Sequence, residues 1–189
     1  MQKYDVVLLL DAKLSDTERK AVLADMEKSL GKTILEKDDM GIQALAYNLS
    51  DKIGQNSAYM VSYYVQSPAA DIIAFQKDLV YNKSIKRYVV YKMDVTEPFF
   101  TFAALNKELT TIIEGRDQKK LGQKLTFVAD KRNAKYLNWK SIPLLKKYVS
   151  RFGNIKPRKY TGNSVSLQKK LRETILRARE LGLLEYAKD

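Results

Sequence analysis

The 189-residue sequence predicts an α+β protein made of a mixed N-terminal module and a small, all-α, basic domain at the C-terminus. Two observations predict this division. Strand-like and helix-like segments follow the order βαββαβ up to residue 95, whereas helical patterns dominate after residue 127. The charge divides in the same way, because residues 1–100 have a net charge of −1 and residues 101–189 a net charge of +13. We therefore expect two modules with different functions.

The N-terminal module, residues 1–95, begins with a strand and a helix. Tyr4 to Leu10 contains a short aliphatic run between two aspartates, which is typical of a buried strand. Ser15 and Glu18 have the spacing of a capping box, and apolar residues then recur at helical spacing as far as Gly31. A helix is therefore predicted between Ser15 and Gly31.

Three strands and a second helix complete this module. Residues 33–49 are interpreted as one long strand that is interrupted at Asp38 to Gly41, and residues 57–66 alternate as a further strand. A helix is predicted from Pro68 to about Leu79, and Ile85 to Met93 forms the last strand. This order predicts a split βαβ, ferredoxin-like fold, in which a four-stranded antiparallel sheet carries both helices on one face.

Composition excludes several kinds of chemistry. The chain has no histidine and no cysteine, so it offers no imidazole base, cysteine nucleophile or thiolate zinc site. An enzyme of the acylphosphatase type would need an Arg/Asn phosphate-binding loop after the first strand, and residues 11–15 contain neither residue. The longest aliphatic run, Val6 to Leu10, is far shorter than the roughly 20 residues that span a bilayer. We expect no enzyme activity, cofactor, metal, small-molecule substrate or membrane partner.

Residues 96–126 are predicted to link the modules, with a helical stretch from Phe102 to Ile113, and residues 127–189 form the basic domain. In that domain the aromatic side chains of Phe127, Tyr136 and Trp139 stand among lysines and arginines. They could stack on nucleotide bases or anchor the segment to the protein, and the sequence leaves both interpretations open.

Two helices are predicted in the basic domain. The first runs from Ile142 to Phe152 after the cap residue Ser141, and its apolar stripe is formed by Ile142, Leu145, Val149 and Phe152. The second runs from about Ser164 to Leu181. The second helix has an apolar stripe formed by Leu167, Leu171, Ile175 and Ala178. Cations occupy its other sides, so this helix can pack through its stripe while the cations face phosphates.

The basic residues predict a polyanion partner, and we expect RNA phosphates to be contacted mainly by the second module. Thr161 and the cations of the loop between the two helices are also expected to contact RNA. A small basic cluster near the last strand of the first module is expected to do the same. The candidate RNA-binding residues are Lys83, Lys86, Arg87, Lys131, Arg132, Lys135, Lys156, Arg158, Lys159, Thr161, Lys169, Lys170, Arg172, Arg177 and Arg179.

Residues 1–95 resemble bacterial small-subunit ribosomal protein six. Three segments carry the resemblance: Tyr4-Asp5-Val6-Val7, the hairpin stretch from Met40 to Tyr47 with Leu45-Ala46-Tyr47 at its end, and Ile85-Lys86-Arg87-Tyr88. Where members of that family usually have basic residues in the hairpin, this chain has Gln43 and Ala44.

Residues 127–187 resemble bacterial small-subunit ribosomal protein eighteen. The shared elements are the loop from Ile155 to Gly162, then Gln168 and Leu171, then Arg177-Ala178-Arg179, then Leu183-Leu184-Glu185-Tyr186. Some members of that family carry paired cysteines as a zinc site. This chain has none, so we expect no zinc there.

The two resemblances together imply a fusion of proteins that associate on the platform of the small subunit. They imply a structural constituent that binds the central domain of small-subunit rRNA and supports assembly and translation. The implied partners are this rRNA, neighbouring small-subunit ribosomal proteins, and each module for the other within one chain. The implied location is a cytoplasmic ribosome, with an organellar one left open. The alternative is a free-standing RNA-binding translational regulator.

Overall fold

The computed structural model describes residues 1–49, 56–94, 97–117, 127–128 and 131–187, apart from the side chains of residues 114–117 and 131–132. Within it the chain forms two compact units, Met1–Phe99 and Phe100–Asp189.

The N-terminal unit contains one four-stranded sheet. Its strands are β1 (Gln2–Asp11), β2 (Ile34–Ala44), β3 (Ser57–Ser67) and β4 (Ile85–Met93), and all neighbouring strands are antiparallel. The spatial order is β2-β3-β1-β4, so the first strand lies in the interior of the sheet. Its continuous aliphatic run suits this position, because an interior strand that is apolar on both faces must be covered on both. The predicted fold class is confirmed.

Two helices pack on one face of the sheet. They are α1 (Asp16–Leu30) and α2 (Ala69–Val80). The capping box predicted for α1 is present, because the Glu18 backbone N–H donates to Ser15 Oγ at 3.3 Å and the Ser15 N–H donates to Glu18 Oε2 at 3.0 Å. The buried core between helices and sheet consists of Val6, Leu8, Leu10, Leu23, Met26, Leu30, Val61, Tyr63, Val65, Ile72, Phe75 and Leu79.

Strand β2 differs from its prediction in two ways. It is continuous through the polar segment, because a bulge between Asp39 and Gly41 absorbs the irregularity. Gly41 has a φ of 66°, and its N–H donates to Asp39 Oδ1 at 3.0 Å. The strand also ends at Ala44. Residues 45–49, which were predicted to continue it, are described but lie outside the strand.

The opposite face of the sheet is largely apolar but contains a buried polar pair, since the Ser62 hydroxyl donates to Asp5 Oδ1 at 2.6 Å. Successive side chains of a strand alternate between faces, so Val7 and Leu9 point away from the helices, and both are buried. Met60, opposite Leu9 on β3, is buried on this face too. The Tyr64 ring meets the Phe99 ring edge-on, with 4.6 Å between centroids.

The C-terminal unit is helical. Its elements are α3 (Phe102–Asp117), a 3-10 helix (Lys131–Tyr136), α4 (Ile142–Tyr148), α5 (Arg158–Thr161) and α6 (Val165–Glu180). Helix α3 falls within the predicted linker but belongs to the C-terminal unit. Its Leu105 and Leu109 are buried, and the helix packs with α4 inside this unit. Residues 118–126 of the predicted linker lie outside the described residues.

Helix α4 is shorter than predicted. It ends at Tyr148, and Val149 then pairs with Ile155 in an isolated antiparallel bridge. The apolar stripe predicted to extend to Phe152 therefore stops at Tyr148, which is fully buried. Ser141 precedes the helix but does not cap it, because its hydroxyl donates to the Tyr136 carbonyl oxygen at 2.7 Å.

Helix α6 has the predicted position and orientation. Ser164 caps it by accepting the Leu167 N–H at 3.3 Å, and the last helical residue is Glu180. Leu171, Ile175 and Ala178 are fully buried, which confirms the stripe as the packing face. Lys169, Arg172 and Glu173 lie on the other sides of this helix and are exposed.

Candidate nucleic-acid interface

A basic helical turn forms the first part of the candidate site. Pro157 precedes α5 with a φ of −72°, and Gly162 closes the turn with a φ of 67° while its N–H donates to the Arg158 carbonyl oxygen at 2.9 Å. Arg158 and Lys159 lie on this turn and are exposed. Since proline restricts the backbone and Gly162 adopts a left-handed conformation at little cost, the turn holds two cations on a preorganised backbone.

Hydrogen bonds of the Gln168 side-chain amide hold this turn against α6. Gln168 Oε1 accepts hydrogen bonds from Thr161 Oγ1 at 3.0 Å and from Asn163 Nδ2 at 3.1 Å, and Gln168 Nε2 donates to the Lys156 carbonyl oxygen at 2.9 Å. Thr161 is fully buried. The Thr161 hydroxyl is therefore used inside the protein, and an RNA contact of Thr161 remains a prediction. The structural role of Gln168 was not among the predicted site residues.

The outer sides of α6 carry the second group of cations. Lys169 and Arg172 are exposed, and Lys170 and Arg177 are half-buried. Since the opposite side of the helix is packed into the core, the geometry presents the exposed pair to solvent on a rigid element. This arrangement agrees with the division between stripe and cations expected from the sequence.

Arg179 occupies a different environment. Arg179 is only 7% exposed, and its Nε donates to the Glu185 carbonyl oxygen at 3.0 Å. A terminal guanidinium nitrogen also donates to the Gly153 carbonyl oxygen, and the guanidinium lies 5.7 Å from the centroid of the Tyr186 ring. This cation ties α6 to two backbone segments rather than lying on the exposed basic surface, and an RNA contact of Arg179 remains a prediction.

The remaining predicted cations of this unit are dispersed. Lys156 is half-buried, and its Nζ donates to the Lys147 carbonyl oxygen at 2.8 Å. Lys135 is exposed, with its Nζ 4.9 Å from the centroid of the Tyr136 ring. The side chains of Lys131 and Arg132 lie outside the described part of the structure.

The aromatic residues among these cations are buried. Trp139 is 2% exposed, and the Tyr136 hydroxyl donates to Glu108, a hydrogen bond that raises the pKa of Tyr136 to about 12. The adjacent Lys140 is fully buried, and its Nζ donates to the Phe100 carbonyl oxygen at 3.2 Å. Of the two interpretations that the sequence left open, anchoring to the protein is the one that the structure supports at Tyr136 and Trp139.

The basic cluster of the N-terminal unit is largely engaged within that unit. Lys86 Nζ lies 3.1 Å from Asp11 Oδ2. The N–H of Lys13 and the ammonium group of Lys86 lower the pKa of the Asp11 carboxyl, and burial opposes them. Arg87 donates to the Tyr47 hydroxyl at 3.0 Å. Lys83 is exposed.

The described residues contain no group of three or more aspartates and glutamates that could hold a metal ion. Within the same ranges, no helix has both the length and the apolar character needed to cross a membrane.

Comparison with known proteins assigns each part of the chain to a family. The ribosomal protein S6 family matches residues 3–92, and the ribosomal protein S18 family matches residues 133–184. The small ribosomal subunit protein bS18 of Mycoplasma capricolum subsp. capricolum is 46% identical over 56 residues, which are 30% of this chain and 75% of that protein. The bS18 protein of Mesoplasma florum is 42% identical over 67 residues, which are 35% of this chain and 87% of that protein.

Among solved structures, 30S ribosomal protein S6 from Thermotoga maritima has a TM-score of 0.45 and 11% identity, with 63% of this chain and 98% of that chain covered. The S6 and S18 families consist of structural, non-enzymatic proteins of the small ribosomal subunit. The chain therefore belongs to the bS18 family, and the S6 match in its N-terminal part makes it a fusion of an S6 domain with an S18 domain.

Proposed function

We propose that this fusion binds the central domain of small-subunit rRNA at the platform, and that its C-terminal unit supplies most of the RNA affinity. The observation that carries the proposal is the charge of residues 101–189, where 21 lysines and arginines face only 8 aspartates and glutamates. Even if every carboxylate paired with one cation, 13 cations would have no carboxylate of their own unit. An excess of this size attracts a polyanion and favours phosphate contacts.

The geometry favours four of these cations as the phosphate contacts. Arg158 and Lys159 stand on the turn between Pro157 and Gly162, so little backbone entropy remains to be lost on binding. Lys169 and Arg172 stand on α6, a helix whose opposite side is packed in the core. We propose these four as the principal phosphate ligands, with contacts to bases left to other groups.

We also propose that the two units dock on each other within one chain. Support comes from the sheet of the N-terminal unit, whose second face carries the apolar side chains of Val7, Leu9 and Met60, whereas α1 and α2 pack on the other face. An apolar second face needs a cover, and a unit tethered to the same chain reaches it at a high effective concentration. The covalent connection also keeps the two domains in a one-to-one ratio.

The RNA proposal is tested by the salt dependence of binding. Affinity of the full chain for a transcribed central domain of small-subunit rRNA is measured between low and high salt. If about six to ten phosphates are neutralised, the logarithm of the association constant falls with the logarithm of salt concentration with a slope of about −5 to −9. A slope near zero would contradict the proposal.

Charge variants locate the contacts. The pair Arg158→Gln and Lys159→Gln, and separately the pair Lys169→Gln and Arg172→Gln, should each make the slope shallower by about 1.4 to 1.8. Lys77→Gln, an exposed lysine of α2, is the matched control and should leave the slope unchanged. Co-sedimentation with small subunits in high salt then separates a resident ribosomal protein from a regulator, which should wash off.

Docking is tested with a protease site inserted between Phe99 and Phe100, the boundary of the two units. After cleavage at micromolar concentration, co-elution of the two halves supports docking. Independent elution of two folded halves contradicts it.

A further inference from the structure

The turn after α4 displays an aromatic side chain that its sequence pattern predicts to be buried. The pairing of Val149 with Ile155 places residues 150–154 at the tip of a tight turn, closed by hydrogen bonds from the Ser150 N–H to the Asn154 carbonyl oxygen at 2.7 Å and from the Gly153 N–H to the Ser150 carbonyl oxygen at 3.1 Å. Phe152 stands at this tip and is 62% exposed. The helical stripe that would have buried it ends one turn earlier.

A second exposed aromatic residue stands on the neighbouring segment of backbone. A Cβ atom at Gly153 would lie 2.8 Å from the carbonyl oxygen of Tyr186 and 2.9 Å from Cα of Ala187, so the chain after α6 touches the turn at its glycine. Tyr186 is 53% exposed. The buried guanidinium of Arg179 holds both segments, because it donates to the carbonyl oxygens of Gly153 and Glu185.

The turn therefore combines ring surface with positive charge on a braced backbone. The guanidinium carbon of Arg151 lies 5.5 Å from the centroid of the Phe152 ring, and Arg151 is itself exposed. Exposed rings beside cations are the combination that proteins use to bind single-stranded nucleic acid, where bases stack on the rings and cations follow the phosphates.

We propose that Phe152 and Tyr186 form a stacking platform for unpaired RNA bases, with Arg151 beside it as a phosphate contact. This inference rests on the proposed rRNA binding and adds single-stranded nucleotides as the element recognised at this place. The aromatic residues that the sequence suggested for stacking, Tyr136 and Trp139, are buried in the same unit. A polyanion is favoured over a protein as the occupant because the unit that presents the platform has a net charge of +13 over residues 101–189.

The test compares single-stranded and double-stranded RNA. Binding of the full chain to poly(U) and to a mixed-sequence RNA duplex of the same length is measured for the wild type and for Phe152→Ala. Since an exposed base cannot stack within a closed duplex, the substitution should weaken poly(U) binding about fivefold or more and change duplex binding less than twofold. The slope of affinity against salt should stay unchanged, because no charge is removed.

Further variants separate stacking from other roles. Phe152→Tyr keeps a ring and should bind poly(U) within twofold of the wild type, whereas Phe152→Leu keeps only the apolar character and should weaken it like alanine. Arg151→Gln should make the salt slope shallower by about 0.7 on the single strand. Tyr81→Ala removes an aromatic residue that is 84% exposed in the N-terminal unit and is the matched control. Its affinity for poly(U) should equal that of the wild type.

Three outcomes would overturn the inference. The first is equal poly(U) affinity of Phe152→Ala and the wild type while the salt dependence of rRNA binding is retained; the proposed function then stands without the platform. The second is an equal loss on duplex and single strand. The third is release of a neighbouring protein from purified small subunits by Phe152→Ala with unchanged RNA affinity, which would assign the surface to protein. Absence of any salt-dependent RNA binding would instead remove the proposed function and the platform together.

Discussion

Replacement of Arg179 by alanine should destabilise the C-terminal unit strongly, although the substitution removes a cation from a highly basic unit. The guanidinium is buried and donates to the carbonyl oxygens of Gly153 and Glu185. Alanine would leave both acceptors without this donor. An unsatisfied buried polar group costs about 1–3 kcal/mol, so the two carbonyls together predict a loss of about 2–6 kcal/mol. Arg179→Lys keeps the charge but not the fork of donors, and should restore only part of the loss.

The chain contains a single tryptophan, and this provides the assay. Trp139 lies in the C-terminal unit and is almost fully buried, so urea unfolding followed by its fluorescence reports on that unit alone. Arg172→Ala on the exposed side of the same helix is the matched control and should change the free energy of unfolding by no more than about 0.5 kcal/mol. The reasoning is refuted if the free energy of unfolding of Arg179→Ala lies within about 0.5 kcal/mol of the wild-type value. A shallower salt slope for rRNA in this variant would in addition assign Arg179 a phosphate contact.

Three further predictions concern other local interactions. Ser15→Ala removes the cap of α1 and should cost about 1 kcal/mol, seen as faster amide exchange in residues 16–30; unchanged exchange would contradict this. Thr161→Val should cost about 1–2 kcal/mol by Trp139 fluorescence and leave the rRNA affinity of the folded protein unaltered, whereas weaker rRNA binding at full stability would indicate a direct RNA contact. Glu27, which accepts from Lys37 at 2.7 Å and has its carboxyl pKa lowered mainly by that hydrogen bond, stabilises the N-terminal unit only when ionised. Its contribution is therefore present above the ordinary glutamate pKa of about 4.5 and is lost as the pH falls through the lowered pKa of the folded state. The difference in amide-exchange stability between the wild type and Glu27→Gln should be constant near neutrality and vanish in acid; a difference that grows on acidification would contradict the assignment.

Local patterns were sufficient where one element decides its own structure. The spacing of Ser15 and Glu18 predicts a capping box, and the structure confirms it because both partners lie within one helical turn. The stripe of α6 is confirmed for the same reason, since its spacing defines a single packing face. Strand β4 has the bounds that its sequence predicts, Ile85–Met93.

The local sequence pattern does not predict the structure where hydrogen bonds to another segment of the chain override it. The apolar spacing that suggests a helix as far as Phe152 is overridden by the pairing of Val149 with Ile155, which draws the chain into a turn. The polar interruption predicted in the second strand disappears because a bulge at Gly41 keeps its pairing with β3. In both places a partner elsewhere in the chain supplies hydrogen bonds that the local sequence does not reveal.

The candidate site shows the same limit at the level of single side chains. Composition alone indicates that the second half binds a polyanion, because the excess of cations follows from counting residues. It does not separate exposed cations such as Arg158 and Lys159 from Arg179, which belongs to the same basic helix. Burial depends on which backbone carbonyls lie beside each guanidinium, and these come from residues 153 and 185 rather than from the helix itself.

The order of the elements, the two-part division of charge and the two family resemblances follow from the amino-acid sequence by itself, since each depends on residue types and spacings along the chain. Tertiary structure alone decides that Arg179 and Thr161 serve the protein interior while Phe152 faces solvent. The physical reason is that solvent exposure and hydrogen-bond partners are set by segments that meet only in the folded chain, where a carbonyl or an amide far away in sequence competes with RNA for the same side chain.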